Sequence, residues 1–198
     1  MQITADQVKQ LREMTGAGMM ECKKALAESG GDVEKAVDAL RKSGVAKADQ
    51  RAGRMANEGR VDSYIHPGNR VGVLIEINCE TDFVARTPEF EELVRNLAMQ
   101  AAAAGAEYVR REDVPAERIE RERAIYAAQL EGQGKPAAIV GKIVEGKLDK
   151  FFSEVCLLEQ PYVRDDKKTV DDVLKESASK TGENLVVRRF VRFRLGAE

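Results

Sequence analysis

The side chains that most often carry catalysis are few and widely separated in this chain of 198 residues. His66 is the one histidine, and it stands beside Pro67 in a predicted turn, where we expect a solvated side chain rather than a general base. Cys79 ends a predicted strand on its apolar side, which favours a buried small side chain over a nucleophile. Two pairs of aspartates, at 165–166 and 171–172, are expected to cap helices. The sequence therefore predicts no catalytic residues.

Motifs for cofactors and metals are also missing from the sequence. The cysteines Cys22, Cys79 and Cys156 lie too far apart for a disulfide framework or a zinc site. Neither the phosphate-loop pattern GxxxxGK[ST] nor the dinucleotide-binding pattern GxGxxG occurs. We therefore expect a protein that is not an enzyme and that holds no cofactor and no metal.

The composition predicts a globular, helix-rich protein with balanced charge. The 32 basic and 34 acidic residues give a net charge of −2, which disfavours a globally basic protein that binds nucleic acid. Tryptophan is absent and aromatic residues make up 5%, so platforms for base stacking are scarce. No N-terminal leader and no apolar stretch long enough to cross a membrane is visible, which predicts a cytoplasmic protein without membrane contact.

The first 43 residues are predicted to form a compact unit of three helices. Thr4 and Gln7 have the spacing of a capping box, and Gly16 and Gly18 allow a sharp turn after the first helix. Asp32 is expected to cap the third helix. Apolar residues at helical spacing then give each helix one buried face.

A basic linker at 44–60, in part helical, and a core domain at 61–198 are predicted to follow. In the core, alternating residues from Val61 to Cys79 predict a β-hairpin with one apolar face. Helices are expected from Pro88, Pro115, Pro136, Leu148 and Thr169, and residues 184–195 are expected to form a third strand. The predicted fold class is α+β, with a small antiparallel sheet flanked by helices.

Two segments have compositions that allow a contact function. In residues 79–86, either Phe83 and Val84 fill the core while Asp82 caps locally, or Phe83 projects as an aromatic anchor beside a carboxylate. In residues 15–20, either Met19 and Met20 are core residues beside a helix–helix turn, or the small residues let a partner approach closely between adaptable methionines.

Three long motifs in this order resemble bacterial elongation factor Ts: LREMTGAGMMECKKAL, INCETDFVAR and GKPAAIVGKIVEGKLDKFFSEVCLLEQPYV. The resemblance runs essentially from end to end. It implies an N-terminal three-helix module that is similar to ubiquitin-associated domains. It also implies guanine-nucleotide exchange on elongation factor Tu, in its GDP-bound and nucleotide-free forms, during translation elongation.

The resemblance also assigns roles to residues. The segment that disturbs magnesium coordination in the partner would be Thr81, Asp82, Phe83 and Val84, with Phe83 as the wedge and Asp82 close to the magnesium environment. The residues that dock on the GTPase domain would be Arg12, Gly16, Ala17, Gly18, Met19, Met20 and Lys23. A single core with one such segment resembles the short form of the family, which implies a homodimer.

The dimer is expected to pair through the sheet or through Val187, Val191, Phe193 and Leu195, unless these residues form an intrachain core face. Two other function classes stay open. One is an adaptor without exchange activity. The other is a protein that binds the ribosome or RNA through arginines of the last strand, although no direct contact with nucleic acid is expected because these arginines predict a solvated face.

Overall fold

The computed structural model describes residues 3–131 and 136–197 and shows the predicted α+β fold. Gly134 and Lys135, which belong to the third motif, lie outside the described residues. The helices of the described chain are α1 (Ala5–Thr15), α2 (Met19–Glu28), α3 (Val33–Arg51), α4 (Asp82–Ala85), α5 (Pro88–Ala104), α6 (Ala116–Ala128), α7 (Ala137–Val155) and α8 (Val170–Thr181). The strands are β1 (Glu58–Ile65), β2 (Val71–Cys79), β3 (Pro161–Tyr162), β4 (Asp165–Thr169) and β5 (Val186–Arg194).

Capping residues set the start and end of α1 and the start of α3 as the sequence predicts. Gln7 and Thr4 form the capping box of α1, and Gly16 ends that helix with a left-handed φ of 70°. The Asp32 carboxylate accepts a hydrogen bond from the Lys35 backbone N–H at 3.1 Å, which caps α3. The shared core of the three helices consists of Val8, Leu11, Cys22, Ala25, Leu26 and Ala36. The helix α3 does not stop near residue 43 but continues to Arg51, so the first part of the predicted linker is helical.

The main sheet has the strand order β1-β2-β5, so the C-terminal strand returns to the hairpin as predicted. On β2, Val73, Ile75, Ile77 and Cys79 are buried. The prediction of a single apolar face is wrong, because Val61 and Ile65 on β1 are exposed by 62% and 59%. Their side chains point to the same side as Leu74, opposite to the buried residues of β2.

The chain divides into two compact units, each assembled from separate segments. Unit 1 consists of Met1–Arg60, Ile77–Leu93 and Asp172–Val186. Unit 2 consists of Val61–Glu76, Val94–Asp171 and Val187–Glu198. Unit 1 therefore contains both segments that the sequence singles out for contact.

The region from Pro136 to Thr169 differs from the prediction in two ways. The two helices expected from Pro136 and Leu148 are one helix, α7, whose buried residues line a core shared with α6. Asp165 and Asp166 do not cap a helix but lie on β4, which pairs with β3 in a separate antiparallel sheet. This small sheet is anchored by the buried side chain of Gln100, which donates to the carbonyl of Pro161 at 3.1 Å.

Candidate partner-binding site

The most exposed large apolar side chain among the described residues is Phe83, at 81%, and it lies on the single turn of α4. Residues two apart on a helix point about 200° apart, and Ala85 faces the interior with an exposure of 6%. Phe83 consequently points away from the core. The inward interpretation of Phe83 is wrong, while Val84 is half-buried.

Side chains on both flanks hold the ends of α4. The Thr81 hydroxyl accepts a hydrogen bond from the Val84 N–H at 3.4 Å and caps the turn. At the other end, the Thr87 hydroxyl donates to the Val84 carbonyl at 2.9 Å, and the Arg60 guanidinium donates to the Ala85 carbonyl at 3.4 Å. These contacts matter because a single helical turn is not stable alone.

Asp82 does not act as the cap, which is Thr81. Its carboxylate forms an ion pair with the Arg86 guanidinium at 2.9 Å, one helical turn further on. Both side chains are substantially exposed, at 46% and 79%, so the pair stabilises the turn only weakly. The Asp82 carboxylate is therefore accessible next to the Phe83 ring.

Beneath α4, residues 80–81 and 183–184 bind each other reciprocally, an arrangement that we call the clasp. The Glu183 carboxylate accepts hydrogen bonds from the backbone N–H of Glu80 at 3.0 Å, from the backbone N–H of Thr81 at 3.1 Å and from the Thr81 hydroxyl at 2.5 Å. In return, the Glu80 carboxylate accepts a hydrogen bond from the Asn184 N–H at 2.6 Å. The clasp joins the end of β2 to the turn before β5.

Cys79 lies directly under the clasp, and its predicted burial is confirmed. Its thiol donates a hydrogen bond to the Thr81 carbonyl at 3.1 Å. Burial, together with the nearby Glu183 carboxylate, raises the pKa of this thiol to about 11. A thiol with this pKa is protonated at neutral pH, so it contributes packing and a hydrogen bond rather than nucleophilic chemistry.

The second segment, the turn between α1 and α2, presents two exposed methionines. Met19 and Met20 are exposed by 46% and 77%, so the interpretation of these residues as core is wrong. Gly16 is needed at the turn because of its left-handed φ, and a Cβ there would lie 3.1 Å from the Lys180 side chain. Arg12 and Lys23 are exposed on the flanking helices. The turn thus combines adaptable apolar side chains with positive charge.

A third surface, which we call the outer sheet face, lies in unit 2. Its members are the exposed apolar residues Val61, Ile65, Leu74 and Val191, together with exposed Phe193, which is two residues from Val191 on β5 and therefore points to the same side. Leu195, one residue past the end of β5, is also exposed. Val187, which the sequence grouped with these residues, is fully buried. The expectation of an intrachain core face is therefore correct for Val187 alone.

The arginines of β5 are partly engaged within the chain. Arg189 donates to the Glu76 carboxylate at 2.7 Å, and Arg192 donates to the Ala102 carbonyl at 3.3 Å. The Nε of Arg192 is buried. These contacts leave less positive charge on this strand for binding a phosphate backbone than the sequence suggests.

The remaining candidates for chemistry are His66, which lies where the sequence predicts, and possible clusters of metal ligands. His66 is exposed in the hairpin turn, where its Nδ1 lies 3.1 Å from the Tyr64 hydroxyl. Within residues 3–131 and 136–197, no group of three or more His, Cys, Asp and Glu side chains could hold a metal ion. Over the same residues, no helix has the length and apolarity that a membrane span requires.

Two residues near Phe83 were missed by the sequence interpretation. Glu183 lies about a hundred positions away in the chain, and no local pattern signals that it binds residues 80 and 81. Arg86 is the last residue of the motif INCETDFVAR, and the sequence interpretation assigns it no role. Its i, i+4 spacing from Asp82 was the signal that could have predicted the ion pair.

Comparison with known proteins gives matches over nearly the whole chain. The family model described as "Elongation factor TS" matches residues 2–197. A protein named Elongation factor Ts from Pseudothermotoga lettingae is 61% identical over 198 residues, which cover 100% of both chains. Proteins of the same name from Carboxydothermus hydrogenoformans and Geobacter sulfurreducens are 61% and 57% identical, over 98% and 99% of this chain and 89% and 91% of theirs. The chain belongs to the elongation factor Ts family of translation factors.

Proposed function

We propose that this protein is a guanine-nucleotide exchange factor for elongation factor Tu in the cytoplasm. The observation that carries the proposal is Phe83, an exposed aromatic side chain on a turn that is held at both ends. An aromatic side chain in water is an unfavourable arrangement for a monomer, and it becomes favourable when a partner supplies an apolar pocket. Promoting GDP release makes and breaks no covalent bond, so the proposal requires no catalytic residue in this chain.

The proposed mechanism weakens the magnesium site of the partner. Magnesium requires a nearly ideal octahedron of oxygen ligands, so a small displacement of those ligands weakens its binding strongly. Phe83 enters an apolar pocket near the nucleotide, and Asp82 brings a carboxylate close to the magnesium environment. Thr81 and Val84 support the turn. Contacts that form only in the state with weakened nucleotide contacts stabilise that state, so they lower the affinity of the partner for GDP. By linkage, bound GDP lowers the affinity of the partner for the exchange factor by the same factor.

The turn between α1 and α2 supplies the docking surface in this proposal. Its small residues, Gly16, Ala17 and Gly18, let the partner approach the backbone closely. Met19 and Met20 adapt to an apolar surface, while Arg12 and Lys23 contribute charge at the edge. This division separates affinity, which comes mainly from the N-terminal helices, from displacement of the nucleotide by Phe83.

The test is stopped-flow release of a fluorescent GDP analogue from elongation factor Tu. We expect the parent protein to accelerate release strongly. Burying one phenylalanine contributes about 2–3 kcal/mol, so Phe83→Ala is expected to lower the maximum rate about 30- to 150-fold, with a modest change in the half-saturating concentration. Met55→Ala removes another exposed apolar side chain of unit 1, 76% exposed, and serves as the matched control.

The alternatives predict different results in the same experiment. An adaptor without exchange activity leaves GDP release unchanged by the parent and by Phe83→Ala. A protein that binds the ribosome or RNA shows an affinity for RNA that falls steeply with salt. Either result, with no acceleration at saturating concentration, would contradict the exchange proposal.

We also propose a homodimer that pairs through the outer sheet face. The support is the exposure of Phe193, by 69%, on the face that also carries exposed Val61, Leu74 and Val191. Exposed apolar side chains grouped on one face are typical of surfaces that bind another protein. In a dimer with twofold symmetry, this face of one chain covers the same face of the second chain.

A further inference from the structure

The turn that carries Phe83 is held at its ends by single hydrogen bonds that involve Thr81, Thr87 and Arg60. The helix α4 has four residues, and its one ion pair, between Asp82 and Arg86, is largely exposed. A structure this short depends on contacts outside it to keep one conformation. The contacts of this segment that span the greatest distance in sequence are those of the clasp, in which Glu183 accepts most of the hydrogen bonds.

Glu183 is unusual in how many groups of this segment it binds. A single carboxylate accepts three hydrogen bonds, all from the two residues that lead into α4. Hydrogen bonds to an ionised acceptor are stronger than neutral ones. The Thr81 hydroxyl that donates to Glu183 is also the group that caps α4. Glu183 therefore sets the orientation of the Thr81 cap, and through this cap the orientation of the turn that presents Phe83.

We propose that Glu183 is a positioning residue for nucleotide exchange, whose carboxylate fixes residues 80 and 81 so that α4 presents Phe83 to the partner GTPase. This inference rests on the proposed exchange function. Glu183 itself touches neither the nucleotide nor the magnesium ion in this proposal. Its effect is on the fraction of molecules in which Phe83 is correctly oriented, so it acts on the maximum rate of exchange.

Three substitutions distinguish position from charge. Glu183→Ala removes all three hydrogen bonds, and Glu183→Asp is one methylene too short to keep them. Glu183→Gln has the same length, and its amide oxygen accepts the two backbone N–H bonds while its amide nitrogen donates to the Thr81 oxygen. We therefore expect Ala and Asp to behave alike and Gln to restore most of the activity.

The measurement is GDP-analogue release from the partner GTPase as a function of factor concentration. For Glu183→Ala and Glu183→Asp we expect the maximum rate to fall about tenfold, with the half-saturating concentration within about threefold of the parent. Glu183→Gln should stay within about threefold of the parental rate. Glu117→Ala, an exposed glutamate at the start of α6, is the matched control. Thermal unfolding by circular dichroism verifies that every variant is folded.

A double-variant cycle separates positioning from general stabilisation. If Glu183 acts through Phe83, adding Glu183→Ala to Phe83→Ala causes almost no further loss of rate. Hydrogen–deuterium exchange gives a readout independent of the partner, because the amides of Glu80 and Thr81 should lose protection in Glu183→Ala and keep it in Glu183→Gln.

Several results would overturn the inference alone: a parental rate in Glu183→Ala, a Gln variant as slow as Ala, or a double variant slower by the full factor of each change. In contrast, a parent protein that does not accelerate GDP release overturns the proposed function itself. The two failures are thus distinguishable.

Discussion

The outer sheet face leads to a quantitative prediction about assembly. Phe193 is its most exposed member, at 69%, and lies on β5 near the end of the chain. In a twofold dimer, each substitution acts twice. Losing the burial of two phenylalanines costs about 4–6 kcal/mol, which raises the dissociation constant of the dimer about 10³- to 10⁴-fold. Phe193→Glu adds to this the burial of two carboxylates without partners.

The assay is gel filtration with light scattering at a loading concentration of about 1 µM, where a standard interface is still closed. The parent is expected at about twice the chain mass of 21.9 kDa, and Phe193→Glu at the mass of one chain. Val163→Glu adds the same charge at another exposed apolar position of unit 2, 48% exposed, and should stay dimeric. A parent that elutes as one chain would refute the dimer. A dimeric Phe193→Glu would show that a different surface pairs.

Three further predictions concern folding. Phe83→Ala should change the free energy of unfolding in urea by less than about 0.5 kcal/mol, because the ring is 81% exposed; a larger loss would mean that Phe83 packs within the chain. The free energy of unfolding should fall as the pH rises from 9 to 11, because the Cys79 thiol ionises near its ordinary pKa of 9.0 when unfolded and near 11 when folded; stabilisation is complete below pH 9, and Cys79→Ser should make this part of the profile less steep, while Cys156, whose pKa burial raises to about 12, still contributes to it. Gly59→Ala should destabilise the protein by at least about 2 kcal/mol, since a Cβ there would lie 2.2 Å from the Ile77 carbonyl oxygen, whereas Gly53→Ala, where a Cβ meets nothing within 4 Å, should be nearly neutral in the same urea titration.

Much of the fold was predictable from the sequence because its signals are local. The caps at Thr4 and Asp32 fix where α1 and α3 begin, and Gly16 fixes where α1 ends. The prediction of two helices in place of α7 is wrong, because the helix continues through Gly146. A glycine inside a helix costs about 1 kcal/mol, which the buried residues on either side, including Val144 and Leu148, outweigh.

The candidate site was predictable only in part. The sequence identified residues 79–86 and 15–20, but apolar composition alone does not tell whether Phe83 or Met20 points inward. That direction depends on which neighbour faces the core, as Ala85 does. Glu183 could not be found at all, because its partners at residues 80 and 81 are brought close only by the completed fold.

The clasp has a consequence for the nascent chain. Unit 1 contains Asp172–Val186, so the helices made first lack part of their unit until the ribosome has synthesised residue 186. Closing a contact across about a hundred residues is slow compared with forming a helix. A polypeptide released early, before residue 183, would fold its N-terminal helices and still lack the clasp beneath α4. Synthesis of residues 172–186 therefore completes the unit in which Phe83 is presented.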